Sequence, residues 1–171
     1  KAHNLARMAA LGLPVPPAFV IGSHWCERAH ALQPDFWCGA LRAIEQVTGR
    51  GFGDRRHPLL LSVRSGAAVS MPGMMETVLD IGLSELTLPG FVRVTGNPQL
   101  AWDAYRRLVA GFGEVVLGVD RGHFERDLQG LATGRDEREL DFAELRQLTR
   151  LHLASVLRES GRPFPQDPGE Q

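Results

Sequence analysis

The sequence predicts an α+β fold in which a small sheet comes first and helices follow. Three observations carry that reading. Strand signals are confined to the first half: Leu59-Leu60-Leu61-Ser62-Val63-Arg64 is short and mostly apolar, Thr77 to Ile81 is a second such run, and Ala18 to Ile21 a third. From Asn97 onward apolar residues recur at helical spacing instead, with Ala101, Trp102, Tyr105, Leu108, Val109, Phe112, Val115 and Val116 on one stripe. The 171 residues, 43% hydrophobic and 23% charged, are about one domain's worth of chain with enough apolar material for a sizeable core. Residues 1–92 read as an α/β lobe, 93–161 as a helical subdomain and 162–171 as a linker toward a region further downstream.

The elements follow in order. Asn4 to Leu13 carries Leu5, Met8, Ala9 and Leu11 near helical spacing and stops at Gly12. Pro14, Pro16 and Pro17 force an extended stretch, since proline fixes φ and pushes its predecessor out of the helical region. Ala18 to Ile21 then reads as a buried strand. Ser23 caps a helix to about Leu32, and Asp35 caps another to about Val47. Gly49 to His57 is rich in glycine and charge and reads as a loop. Its Gly49-Arg50-Gly51-Phe52-Gly53 follows a helix and precedes a strand, the reverse of the order a phosphate-binding glycine loop requires. After the Leu59–Arg64 strand, Ser65 to Met75 has small residues, a Pro-Gly pair and no period, so it is a loop between two strands. Asn97-Pro98 opens a long helix. Asp120 caps a shorter one to about Leu131, Thr133 to Leu140 is a charged loop, and Asp141 caps a last helix carrying Phe142, Leu145, Leu148 and Val156. The proline-rich tail from Arg162 to Gln171 reads as irregular.

Composition bounds the function. Nineteen Lys+Arg against 20 Asp+Glu give a net charge of −1, which argues against duplex binding or a polybasic membrane anchor. No run approaches the ~20 apolar residues of a membrane span, and no signal peptide is visible. The chain opens on Lys1 rather than Met, which suggests a piece of a longer protein. Cys26 and Cys38 make no disulfide framework and read as reduced thiols of a cytoplasmic protein.

The chemistry concentrates in Ser62-Val63-Arg64-Ser65-Gly66-Ala67-Ala68-Val69-Ser70-Met71-Pro72-Gly73-Met74-Met75. A strand delivers an arginine to its end, and a loop of small and hydroxyl residues follows. A guanidinium fork pairs bidentately with phosphate oxygens, and glycines let backbone N–H groups approach an anion. The same residues also suit an arginine salt bridge beside a loop, and both readings stand. Met71, Met74 and Met75 suit an adaptable lid better than a core. Glu76 reads as a solvated turn carboxylate. Trp25, Trp37 and Trp102 fall on apolar helix faces and read as core. His3, His24, His30, His57, His123 and His152 show no metal-ligand spacing and read as solvated or structural.

The string SVRSGAAVSMPGMMETVLDIGL closely resembles the ATP-binding region of the pyruvate, phosphate dikinase family. Lys1-Ala2-His3-Asn4-Leu5-Ala6 with Leu11-Gly12-Leu13-Pro14-Val15-Pro16-Pro17 resembles the family's opening. Phe52-Gly53-Asp54, Ala101-Trp102-Asp103-Ala104-Tyr105-Arg106-Arg107 and Phe164-Pro165-Gln166-Asp167-Pro168 also have counterparts, so the resemblance covers nearly the whole chain. The related water dikinases share the V-R-S motif but differ at M-P-G-M-M.

The resemblance implies the N-terminal part of an ATP-grasp-like nucleotide-binding domain, a small mixed sheet with helices plus a helical insert from about Pro98 to Ser160. It implies ATP and Mg²⁺ as cofactors and a reaction that makes phosphoenolpyruvate, AMP and pyrophosphate from pyruvate, ATP and phosphate. Lys1 matches the family's nucleotide-site lysine and Arg64 its phosphate-binding arginine, the one residue assigned to catalysis here. Gly73 matches the glycine that closes over the phosphates, with Ser65, Ser70, Met71, Met74 and Thr77 around it. The partners implied are a swivelling phosphohistidine domain and a pyruvate-binding domain of the same protein, in a homo-oligomeric enzyme. The metal-holding carboxylates lie beyond Gln171, so this chain supplies no metal ligand and reads as half of a nucleotide site, inactive alone. The alternatives are a truncated relative that binds nucleotide or a partner without catalysis, and a dikinase with a different acceptor.

Overall fold

A computed structural model of the chain describes residues 2–22, 34–64 and 77–171. The helix expected from Ser23 and the loop expected from Ser65 to Met75 lie outside the described residues, as do Lys1, Trp25, Cys26 and Glu76. The chain divides into two compact units, residues 1–50 with 66–71 and residues 51–65 with 72–171.

In the first unit, helix α1 (Ala2–Ala10) begins two residues before the expected start and ends in a turn through Gly12, whose φ of 75° suits glycine. The strand expected at Ala18 to Ile21 does not form. Those residues join no ladder among the described residues, and Phe19, Val20 and Ile21 are exposed. An extended segment becomes a strand only by pairing, and the prolines before it remove backbone donors. Helix α2 (Pro34–Thr48) buries Leu41 and Ile44 and closes with the Thr48 hydroxyl donating to the Ile44 carbonyl at 2.8 Å. Trp37 and Cys38 are half-buried on it, and Cys38 is a free thiol.

The second unit opens with a tight loop. The Asp54 carboxylate accepts from the N–H groups of Arg56 (2.6 Å) and His57 (2.9 Å). Those two donations, His57's the stronger, hold its pKa below the usual carboxylate value. The Leu59 N–H donates to Gly51 at 2.8 Å, so Leu59 and Leu60 lead into the sheet without joining it. Strand β1 (Leu61–Arg64) is therefore shorter than expected. It pairs antiparallel with β2 (Thr77–Ile81), matching Leu61 to Ile81, Val63 to Val78 and Arg64 to Thr77 across a bulge. The expected mixed sheet is thus, among the described residues, a two-stranded antiparallel ribbon.

Helix α3 (Leu88–Thr95) had no expected counterpart. Its Pro89-Gly90 pair has the look of a turn, yet proline is at home in a first helical turn and Gly90 lies against the Arg55 carbonyl, where a Cβ would collide. Helices α4 (Pro98–Val115), α5 (Arg121–Ala132) and α6 (Phe142–Ser160) follow, each capped by the residue expected. Tyr105, Leu108, Val109 and Phe112 of α4 are buried with Val78 and Ile81 of the ribbon, Leu88 of α3 and Val156 of α6. Ala132, Leu140, Leu145 and Leu148 form a smaller cluster. Two members of the expected apolar stripes fall outside the core: Val116 caps the end of α4 and Phe142 begins α6, and both are exposed. The tail is irregular up to a single 3-10 turn (Pro168–Glu170). Phe164 buries edge-on against Phe112, ring centroids 5.3 Å apart.

Candidate functional site

The ribbon positions the site. Val78 and Ile81 face inward and anchor β2 in the core. Next to the Val63–Val78 pair, Arg64 is the last residue of β1 and Thr77 the first of β2, and they are register partners. Antiparallel pairing therefore brings both ends of the 65–76 segment together, with a guanidinium on one and a hydroxyl on the other. Arg64 is exposed and Thr77 half-buried. Among the described residues no carboxylate pairs with Arg64, whose side chain is exposed. A guanidinium can pair bidentately with an anion. Of the residues the resemblance assigns to nucleotide, Arg64 and Thr77 are brought together; Lys1, Ser65, Ser70, Met71, Gly73 and Met74 lie outside the described residues.

The sequence reading missed a charged cluster in the same unit. Asp103 of α4 binds both arginines of the following turn, Arg106 at 2.6 Å and Arg107 at 2.9 Å. Glu137 reaches the same pair, at 3.4 and 3.0 Å. Arg106 is buried and Arg107 half-exposed. Asp80, near the end of β2, is half-buried with φ at 59°, a left-handed conformation that Asp tolerates better than most residues. Burial pushes its carboxyl pKa up, the nearby Arg107 draws it down, and Asp103 adds to the rise. The i,i+3 and i,i+4 spacing of Asp103, Arg106 and Arg107 was the available signal; Glu137 and Asp80 come from far along the chain and gave none.

Two open pockets lie elsewhere in this unit. One runs between Trp102, Leu88, Tyr105 and Leu153, with Arg146 set 5.7 Å over the Trp102 ring; the other is lined by Asn97, Leu100, Arg107 and Glu137. Neither is lined by Arg64 or Thr77. Among the described residues no group of three His, Cys, Asp or Glu side chains is placed to hold a metal ion. No helix among them is long and apolar enough to cross a membrane.

No protein-family model matches the chain. Curated relatives do match. The chain is 39% identical over 181 residues to pyruvate, phosphate dikinase 2 of Zea mays, and 40% identical over 181 residues to the pyruvate, phosphate dikinase of Giardia intestinalis. It is 36% identical over 184 residues to that of Clostridium symbiosum. Each match takes in 100% of this chain, which spans only about a fifth of the relatives' length, 20%, 20% and 21% respectively. Along its whole length, then, the chain is a sequence relative of one segment of the pyruvate, phosphate dikinases.

Proposed function

We propose that the chain is the ATP-binding part of a phosphotransferase of the pyruvate, phosphate dikinase type, in an ATP-grasp-like domain. The observation that supports this reading is the register pairing of Arg64 with Thr77, the residues on either side of the SVRSG…MPGMM segment, within a match that spans the whole chain. Transfer of a phosphoryl group from ATP asks the protein mainly to position the phosphates and offset their charge. Arg64 does both, donating two parallel N–H bonds to phosphoryl oxygens. Ser65, Ser70 and the backbone around Gly73 add donors, Thr77 a hydroxyl, Lys1 a point charge, and Met71 and Met74 cover the nucleotide. The acceptor chemistry belongs to other domains: a swivelling phosphohistidine domain and a pyruvate-binding domain, in a cytoplasmic homo-oligomer. Mg²⁺ ligands come from outside this chain.

Arg64→Ala in the intact enzyme tests the reading. Loss of a charge-stabilising donor lowers phosphoenolpyruvate formation by about a hundredfold or more, and Arg64→Lys restores part of it, the charge without the fork. Steady-state rates and calorimetric ATP titration measure both. An undiminished rate and unchanged ATP affinity in Arg64→Ala would overturn the assignment and leave a non-catalytic module.

A further inference from the structure

His152 sits in the middle of α6 and is 1% exposed. Its ring stands edge-on to Phe124 of α5, with centroids 5.1 Å apart and planes at 66°. Neither Nδ1 nor Nε2 has a hydrogen-bond partner among the described residues. A neutral imidazole carries one donor and one acceptor, and folded proteins leave few buried polar groups unmatched. The surroundings are tight: a Cβ at Gly113 of α4 would stand 2.7 Å from Phe124 and 3.0 Å from Val156. There is no slack for the hydration an imidazolium would demand.

The charged groups around the ring do not compensate. From α4, the buried Arg106 is the nearest cation and disfavours a second positive charge. From α5, Asp127 favours one, but its carboxylate already accepts the Ser155 hydroxyl at 2.7 Å, and that hydroxyl also receives Arg158 at 3.1 Å. Asp103 and Glu137 are committed to Arg106. His123 of α5 lies 3.2 Å from Glu159 of α6, a contact that joins the two helices and opposes opening. Burial first and Arg106 second push the His152 pKa down to about 4. Asp127 and the backbone carbonyls of Arg106 and Phe124 oppose this more weakly, and neither carbonyl meets hydrogen-bond geometry with the ring.

We propose that His152 is an acid-sensitive latch: protonation at this ring separates α5 from α6 so that the imidazolium reaches water. Helix α5 is the element that yields, because it buries only Phe124 and Ala132, whereas α4 buries seven residues and α6 six. The sign follows from linkage. The closed form keeps the ring neutral, and the open form takes a proton near the ordinary value of about 6.5. Closure is therefore at full strength above that value and is lost as pH falls from about 6.5 toward 4. Between pH 7.5 and 5 the open population rises by about thirtyfold.

Peptide-resolved hydrogen exchange of the intact protein tests this, with rates corrected for the intrinsic pH dependence. Peptides within Arg121–Ala132 should lose about thirtyfold in protection between pH 7.5 and 5, beginning near pH 6.5, and His152→Phe should abolish the loss while keeping the aromatic contact. Protection that stays constant in the native protein, or a loss that persists in His152→Phe, overturns the latch. Should His152→Phe fail to fold, the native protein decides alone. A loss that begins near pH 6.5 and grows tenfold per pH unit supports an imidazole, and one that begins only below pH 5 assigns the effect to carboxylates and overturns the proposal.

Discussion

A methyl group added at Gly90 would run into the Arg55 carbonyl and the backbone of Arg56. Neither can swing aside as a side-chain end would. Gly90→Ala therefore loses about 1–3 kcal/mol of stability to overpacking, against the ~1 kcal/mol that alanine ordinarily gains over glycine in a helix. Gly111 of α4 is its control, with nothing within 4 Å of its virtual Cβ among the described residues. Gly111→Ala should stabilise by about 0.5–1 kcal/mol. Urea denaturation separates the two by opposite shifts of midpoint; a stabilised Gly90→Ala would show that the loop and α3 are not packed as described. The helical glycines look alike in sequence, because what distinguishes them is a carbonyl from a distant loop. Arg64 is the contrasting case: its place at a strand end was legible locally, since an apolar run ending in Arg and followed by small residues needs no partner to be read.

Helix starts are the elements the sequence specified best. Asn97 accepts from the Leu100 N–H at 3.0 Å and Asp120 from Gly122 at 2.8 Å. Asp141 accepts from both Ala143 and Glu144 at 2.8 Å, while its own N–H donates to the Glu144 carboxylate at 2.9 Å, a reciprocal capping box. Asp141→Ala should cost about 1 kcal/mol and Asp141→Ser much less, as read from thermal or urea midpoints. Equal losses in both would mean that the carboxylate acts through charge rather than as an acceptor. Caps are legible because donor and acceptor lie within three residues. Strands are not: Ala18 to Ile21 has a strand's composition and no ladder, and Leu59 has one too but spends its N–H on Gly51. Helix α3 was hidden by the opposite error, its Pro89-Gly90 having the composition of a turn.

At the scale of the molecule, the last ten residues complete the second unit's core. Phe164 is buried against Phe112 and Tyr105, the Tyr105 hydroxyl and Gln166 side chain bond each other, and Gln171 takes the Gly82 N–H at 2.8 Å and donates to Leu83 at 2.9 Å. Burial raises the Tyr105 pKa to about 12, only partly offset by Gln166, so the phenol stays protonated as a donor throughout the ordinary pH range. Phe164→Ala should cost about 3–5 kcal/mol, comparable with losing a central core aromatic, and should lower the unfolding midpoint of the whole unit. A cost below about 1 kcal/mol, the scale of a surface change, would mean that the tail is an appendage.

By itself the sequence determined the α+β class, the caps of α4, α5 and α6, the strands that end at Arg64 and begin at Thr77, and the likeness to one segment of the dikinases. Each of these depends on residues close together in the chain or on a motif recognisable by spelling. Only the tertiary structure decided which extended runs found a partner, which glycine lies under a carbonyl, that Asp103 and Glu137 share two arginines, and that His152 is enclosed without a hydrogen-bond partner among the described residues. Pairing, burial and desolvation are properties of neighbours in space, and those neighbours come from parts of the chain that local pattern does not connect.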